Sequence, residues 1–176
     1  LISFFGRAHY SYMSKYMITA TLRRDGSSKF GANHKWGTFP SVSAAWGITE
    51  EAFMDNVNWV NDMKIRVGYG ITGNQSGLDP YKTLQLYGTS GTYYDNGQWL
   101  TAYQISQNAN PDLKWEETSM FNIGLDFFLF NNRVSGTIEW YDKRTTDMLY
   151  TYRVPTPPFL HPDMMANVGD MRNTGI

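Results

Sequence analysis

The chain has 176 residues and a formal net charge of -1, enough for one domain and without the basic footprint of a nucleic-acid binder. Cysteine is absent, which excludes disulfides, thiolate metal sites and a cysteine nucleophile. Charged residues are 18%, below the roughly 25% usual in soluble domains, and aromatics reach 16%, which suits a carbohydrate-binding surface or the girdles of a membrane barrel.

In chain order, Ser3 to Tyr12 and Tyr16 to Arg24 read as two strands joined tightly by Met13, Ser14 and Lys15. Centring the turn on Ser14 sets Tyr12 against Tyr16, Tyr10 against Ile18 and Ala8 against Ala20. The opposite face carries Arg7, His9 and Ser11. The stretch DGSSKFGANHKWG, residues 25–37, is rich in Gly, Ser and Asn and reads as an exposed loop, with Asp25-Gly26 as a turn. TFPSVSAAWGI then alternates Val42, Ala44, Trp46 and Ile48 against small polar residues. Thr49 followed by Glu50 and Glu51 starts one short helical turn. In DMKIRVGYGIT, Met63, Ile65, Val67, Tyr69 and Ile71 alternate with Lys64, Arg66, Gly68 and Gly70.

A long excursion follows, from Gly73 to about Lys114, with strand pieces expected near Tyr81 to Tyr87 and Gln98 to Ile105. The clearest signal is FNIGLDFFLFNNRVSGTIEWY, from Phe121 to Tyr141. Asn131-Asn132 suits a two-residue hairpin turn, because Asn tolerates positive φ. Leu129 then pairs with Val134, Leu125 with Ile138 and Ile123 with Trp140. On the other face Asp126 meets Thr137, Gly124 meets Glu139 and Asn122 meets Tyr141. The last of these strands continues to about Tyr150, and the Pro-rich VPTPPFLHPDMM opens another loop.

Period-two alternation fits a soluble sheet or a barrel in lipid, so the solvent on the greasy face is the question. Three features favour lipid. The strand from Glu116 to Phe130 would be roughly 50 Å long at ~3.3 Å per residue, whereas soluble strands peak near five or six residues. Charges stand in mid-strand on the polar face, as a wet lumen allows. No helical layer is available to cover the sheet. The connections run short, long, medium, very long, short and long in turn, a sorting like that of periplasmic turns and external loops. On this reading Ile18, Ile65, Ile123, Leu125, Ile138 and Trp140 face lipid, and Arg7, Lys64, Arg66, Asn122, Asp126 and Glu139 face the lumen or what fills it. Tyr10, Tyr12, Tyr16, Trp46 and Phe127 gather near the short connections, where one girdle belongs. The alternative reading is a secreted β-sheet module that holds glycan with its aromatic loops.

The blocks YMITATLRRDGSSKFGANHKWGTFPSVSAAWGITEEAF, MKIRVGYGITGNQ and NPDLKWEETSMFNIGLDFFLFNNRVSGTIEWYDKRTTDML together resemble the barrel of the SusC/RagA family of TonB-linked outer-membrane transporters. The closing NVGDMRNTGI resembles the start of that family's next strand. The resemblance implies an all-β fold, a partial antiparallel transmembrane β-barrel, with about six strands of a large plugged barrel of ~22 and long extracellular loops. It implies that residues 1–176 are an internal piece of that barrel domain, without the plug and the remaining strands, because six strands cannot close where about eight are the minimum. It further implies TonB-dependent import of a glycan or peptide across the cell outer membrane. The partners implied are TonB, reached through the absent N-terminal part, and a SusD-like outer membrane lipoprotein as lid. Arg7, Lys64 and Arg66 are then expected to meet plug carboxylates.

Chemistry-bearing residues are sparse. His9, His34 and His161 match no metal spacing, and no cofactor fingerprint or Ser-His-Asp set is present, so neither a cofactor nor an enzyme is expected. Asp126 and Glu139 could neighbour one another, but a mid-strand position favours a structural role over acid–base work. Trp36, Tyr87, Tyr93, Tyr94, Trp99 and Tyr103 are expected in external loops, where aromatic planes could stack on the C–H faces of sugars.

Overall fold

Alternating polar and apolar side chains on long extended segments leave little choice but a ladder of antiparallel strands. The computed structural model describes residues 1–176 and shows eleven strands. They are β1 Ile2–Tyr12, β2 Tyr16–Gly26, β3 Trp36–Gly47, β4 Val60–Asn74, β5 Leu86–Asp95, β6 Gln98–Gln107, β7 Glu116–Leu129, β8 Val134–Thr146, β9 Leu149–Arg153, β10 Asp163–Asn167 and β11 Met171–Gly175. Seven form one open sheet in the order β1-β2-β3-β4-β7-β8-β11, while β5-β6 and β9-β10 are separate hairpins. The expected six wall strands are therefore seven, because the closing segment pairs with β8 through Met171 to Gly175. The connection after β3 forms two single 3-10 turns, Ile48–Glu50 and Ala52–Met54.

The registers expected around Ser14 and around Asn131-Asn132 hold pair for pair. Met13 and Ser14 take positive φ in the first turn. In the second, Phe130, Asn131 and Asn132 have φ of 54°, 57° and 61°, and the Arg133 amide donates to the Phe130 carbonyl at 3.3 Å. Positive φ at both central residues gives the turn the twist of its flanking strands. Asp25-Gly26 is the exception. It completes β2 instead of turning, and buried Asp25 accepts a 2.8 Å bond from Arg23 Nε.

Antiparallel order sorts the connections by end. Residues 13–15, 48–59 and 130–133 lie at one end of the sheet, and 27–35, 75–115 and 147–170 at the other. β7 has 14 residues, about 46 Å of chain at ~3.3 Å per residue, or roughly 35 Å of height at a barrel tilt near 40°.

The registers also build faces that run unbroken across the sheet. One row reads Tyr12, Tyr16, Trp46, Ile65, Leu125, Ile138, and the next reads Tyr10, Ile18, Ala44, Val67, Ile123, Trp140. On the opposite face one row reads His9, Thr19, Ser43, Gly68, Asn122, Tyr141. Nothing in the chain covers the apolar rows: Ile18, Val42, Ile123, Ile138 and Trp140 are all exposed. A water-soluble monomer rarely leaves so extended an apolar face open.

The buried core sits at the long-loop end instead. Phe30, Phe39, Leu78, Leu113 and Trp115 form one cluster, with Ile71, Leu149 and Met165 packed against it. All three long connections contribute to it or pack on it, together with β3 and β4. The stretch 25–37, read from its composition as an exposed loop, in fact buries Phe30 to 1% exposure and folds inward. Trp115 lies 4.6 Å from the Phe30 ring and 5.6 Å, edge on, from Phe39. At Gly31 the chain passes so close to residues 110–113 that a Cβ would stand 1.6 Å from the Pro111 carbonyl oxygen, and the Gly31 amide donates to the Leu113 carbonyl at 3.1 Å.

Candidate substrate-handling surfaces

On the polar face, β4, β7 and β8 bring four charged side chains to one end. Arg66 lies across Gly124, its direct cross-strand partner, and forks onto Asp126 at 2.6 and 3.1 Å. The glycine lets the guanidinium lie close against β7: a Cβ at position 124 would stand 3.1 Å from Arg66 Nη2 and push it back by a few tenths of an ångström. Thr137 donates to Asp126 at 2.9 Å, and Asn122 donates to Glu139 at 2.7 Å. Lys64 stands directly opposite Asp126 in the register. Arg66 and Asp126 thus satisfy each other within the wall, and Glu139 is held by Asn122, so none stands ready for acid–base work. Arg7 stands apart on β1, in the row with Thr21, Ser41, Gly70, Met120 and Lys143. These residues line part of a groove of about 510 Å³.

At the short-loop end Glu51 accepts from Tyr16 Oη at 2.6 Å and Trp46 Nε1 at 3.1 Å, and it pairs with Lys15 Nζ at 3.5 Å. The hydrogen bond from Tyr16, then that from Trp46, and then the charge of Lys15 hold the Glu51 carboxyl below the usual carboxylate range. Sequence reading placed Tyr16 and Trp46 near the short connections for their rings. Their polar tips, which pin residues 48–59 to the first hairpin, carry no period-two signal and went unseen.

The aromatics expected in loops divide. Trp36 opens β3, paired with Gly26, and belongs to the wall. Its ring lies 6.3 Å from Phe4, with the Arg24 guanidinium 5.4 Å from its centroid, on the face that carries the apolar rows. The expectation that Trp36 lies in a loop is therefore corrected: the strand begins two residues before Thr38. Tyr87, Tyr93, Tyr94, Trp99 and Tyr103 all lie on the β5-β6 hairpin, within the longest connection. The piece expected at Tyr81 to Tyr87 starts later, at Leu86.

A bulge decides which of these rings act together. Thr89 pairs with Tyr103 and Gly91 with Ala102, leaving Ser90 without a partner. Tyr87 and Tyr94 are an odd number of residues apart and would face opposite ways on a regular strand. The extra residue returns them to one face, with Tyr103 and Trp99 across from them. Gly91 has φ of +119°, a conformation the bulge requires and L side chains resist. Tyr94 and Trp99 meet edge to face at 5.4 Å, and all four rings are exposed. Tyr93 points to the other face with Leu100.

The root of this hairpin is fixed. Asn108 donates to the carbonyls of His161 and Asp163 and accepts from the His161 amide, at 2.6, 3.1 and 3.0 Å. Asn110 donates to the Met165 carbonyl at 2.8 Å. Asn167 accepts from the Lys114 amide and donates to the carbonyls of Lys114 and Asp147. Side-chain amides thereby act as an extra ladder strand that ties the 147–170 connection to 108–114. His9 bonds Thr19 on β1-β2, His34 lies in the first long loop and His161 in the last, and no group of three potential metal ligands gathers.

An antiparallel wall with sorted connections, an open apolar face and a folded cap at one end is a section of a large β-barrel. The model of the family described as "TonB dependent receptor-like, beta-barrel" matches residues 2–176, and the chain belongs to that family. The TonB-dependent receptor SusC of Bacteroides thetaiotaomicron is 40% identical over all of this chain. In structure the chain is similar to the RagAB peptide transporter, with a TM-score of 0.85 and 36% identity over 98% of the chain, and to the RagAB peptide importer in its open-open state, with the same TM-score and 35% identity. The chain spans only 18% of the length of each of these proteins.

Proposed function

We propose that the chain forms part of the wall and external cap of an outer-membrane transporter that imports a nutrient by TonB-dependent action. One observation carries the reading: seven antiparallel strands keep an open apolar face in register and send the two longest connections, 75–115 and 147–170, to one end. In a bilayer such a face meets lipid, and the edges at β1 and β11 would be paired by the remaining strands of the barrel, so that no backbone group stays unsatisfied. Ile18, Ile65, Ile123, Leu125, Ile138 and Trp140 are then the lipid contacts. Arg7, Lys64, Arg66, Asn122, Asp126 and Glu139 line the interior, where Arg7 is freer than Arg66 to meet a plug carboxylate.

The long-loop end faces outward on this reading. Tyr87, Tyr94, Trp99 and Tyr103 offer substrate a ring-stacking surface, and a SusD-like lipoprotein covers the cap. RagAB, named as a peptide transporter, supports import by name and fold, and SusC, named as a TonB-dependent receptor, supports it by sequence, while the cargo of this chain, glycan or peptide, stays open. The test is uptake by cells carrying the full-length protein, with labelled oligosaccharides and labelled peptides, before and after removal of TonB. Loss of uptake of one class on removing either protein supports the reading. Unchanged uptake of every substrate overturns it.

A further inference from the structure

Beside the ring-stacking face, the cap holds a second feature with chemistry of its own. A cavity of about 610 Å³ opens between the first long loop and the root of the β5-β6 hairpin. Its lining includes Ser28, Lys29, Phe30, Lys35, Tyr81 and Thr83, and no carboxylate. Asp79, next to the lining residue Pro80, is not among them. Neither lysine takes part in an ion pair; the six pairs of the chain use Lys15, Arg23, Arg66, Lys114, Arg144 and Arg172.

The cavity is built on the core and is not a chance gap between mobile loops. Lys29 Nζ donates to the Leu78 carbonyl at 2.7 Å, and both Leu78 and Phe30 are buried to 1% exposure in the central cluster. That bond uses one of the three ammonium donors and leaves two for a ligand. The hydroxyls of Ser28, Tyr81 and Thr83 add uncharged donors, and Phe30 with Leu84 supplies apolar wall. Two cations without a counter-charge, three hydroxyls and a fixed apolar floor complement a small oxyanion carried on a polar body.

We propose that this cavity binds the carboxylate or sulfate of an acidic substrate, so that the cargo carries negative charge. The proposal rests on the import reading for the origin of the ligand. It is tested by binding alone, in the full-length protein in detergent and without TonB, so that a failure of transport and a failure of this site give different results. Hydrogen exchange of residues 27–35 and 80–84 is followed while trigalacturonate, its methyl ester, inorganic sulfate or purified lipopolysaccharide is added.

Trigalacturonate and sulfate are expected to protect both segments, with the acid acting at about tenfold lower concentration than its ester, as one charge-assisted bond in excess of those the ester makes implies. K29Q/K35Q is expected to remove that preference while leaving exchange of the Asn108–His161 contact unchanged, which shows that the cap remains folded. Protection by lipopolysaccharide alone would assign the anion to a lipid phosphate and overturn the substrate reading. Absence of protection by every probe, equal action of acid and ester, or a preference that survives in K29Q/K35Q would also overturn it.

Discussion

Gly31→Ala tests whether the three long connections are one folded unit. The new Cβ would stand 1.6 Å from the Pro111 carbonyl oxygen, where ordinary contact begins at 3.4 Å, so one of the two segments must retreat by about 1.8 Å. That retreat breaks the 3.1 Å bond from residue 31 to the Leu113 carbonyl and strains the packing of Phe30 and Leu113, which are 1% and 0% exposed. A lost bond costs about 1 kcal/mol and overpacking about 1–3 kcal/mol. A total near 3 kcal/mol corresponds to roughly hundredfold faster exchange of the residue 31 amide. The assay is hydrogen exchange on the full-length protein in detergent. Gly77→Ala is the control, since nothing lies within 4 Å of a Cβ there. Equal exchange at residue 31 in the two variants would refute the folded cap.

Other outcomes follow from the same contacts. Asn108→Ala strands two carbonyls and one amide of the last long connection. It should loosen residues 161–163 by about 2–3 kcal/mol, read as faster exchange there. Asn110→Ala, with a single bond, should do less. The Glu51 carboxyl is held low in the folded protein, so its stabilisation is fully present above the ordinary carboxylate pKa of 4.5 and is lost as pH falls through the lower folded value. The protection of residues 48–59, measured against the intrinsic exchange rate at each pH, should therefore fall in acid, and Glu51→Gln should make that protection insensitive to pH in that window. Deleting Ser90 removes the bulge but leaves Tyr87 and Tyr94 an even number of residues apart, so Tyr87 should stay on the face of Trp99 and Tyr103. Cysteines at 87 and 105, paired across the hairpin, should crosslink both before and after the deletion, and loss of the crosslink would refute the register.

The wall was readable because its signal is local and periodic. Leu129, Leu125 and Ile123 count outward from a turn that only a few residue pairs can make, and their partners follow by arithmetic. The cap was not readable in this way. Phe30 sits among Gly, Ser and Asn, and its burial depends on Leu78, Leu113 and Trp115, which lie far along the chain and follow no common period. Trp36 was misplaced because strand ends carry no marker beyond alternation, and Gly37 interrupts it. The four rings on β5-β6 were picked out as aromatic, but their alignment depends on one unpaired serine and a left-handed glycine. Gly91 in SGT was the available sign of a bulge. Arg66 was expected to seek a partner outside the wall, whereas it lies close against Gly124 and pairs with Asp126.

Lipid contact along the apolar face tests the central claim most directly. Spin labels at Ile123, Ile138 and Asn122, one at a time in the full-length protein in bilayers, should separate by face. Labels at Ile123 and Ile138 should meet a quencher dissolved in the lipid, because they share the open apolar rows. The label at Asn122, on the opposite face, should not. Equal access of a water-soluble quencher to all three positions would contradict the barrel and favour a sheet exposed to water on both faces.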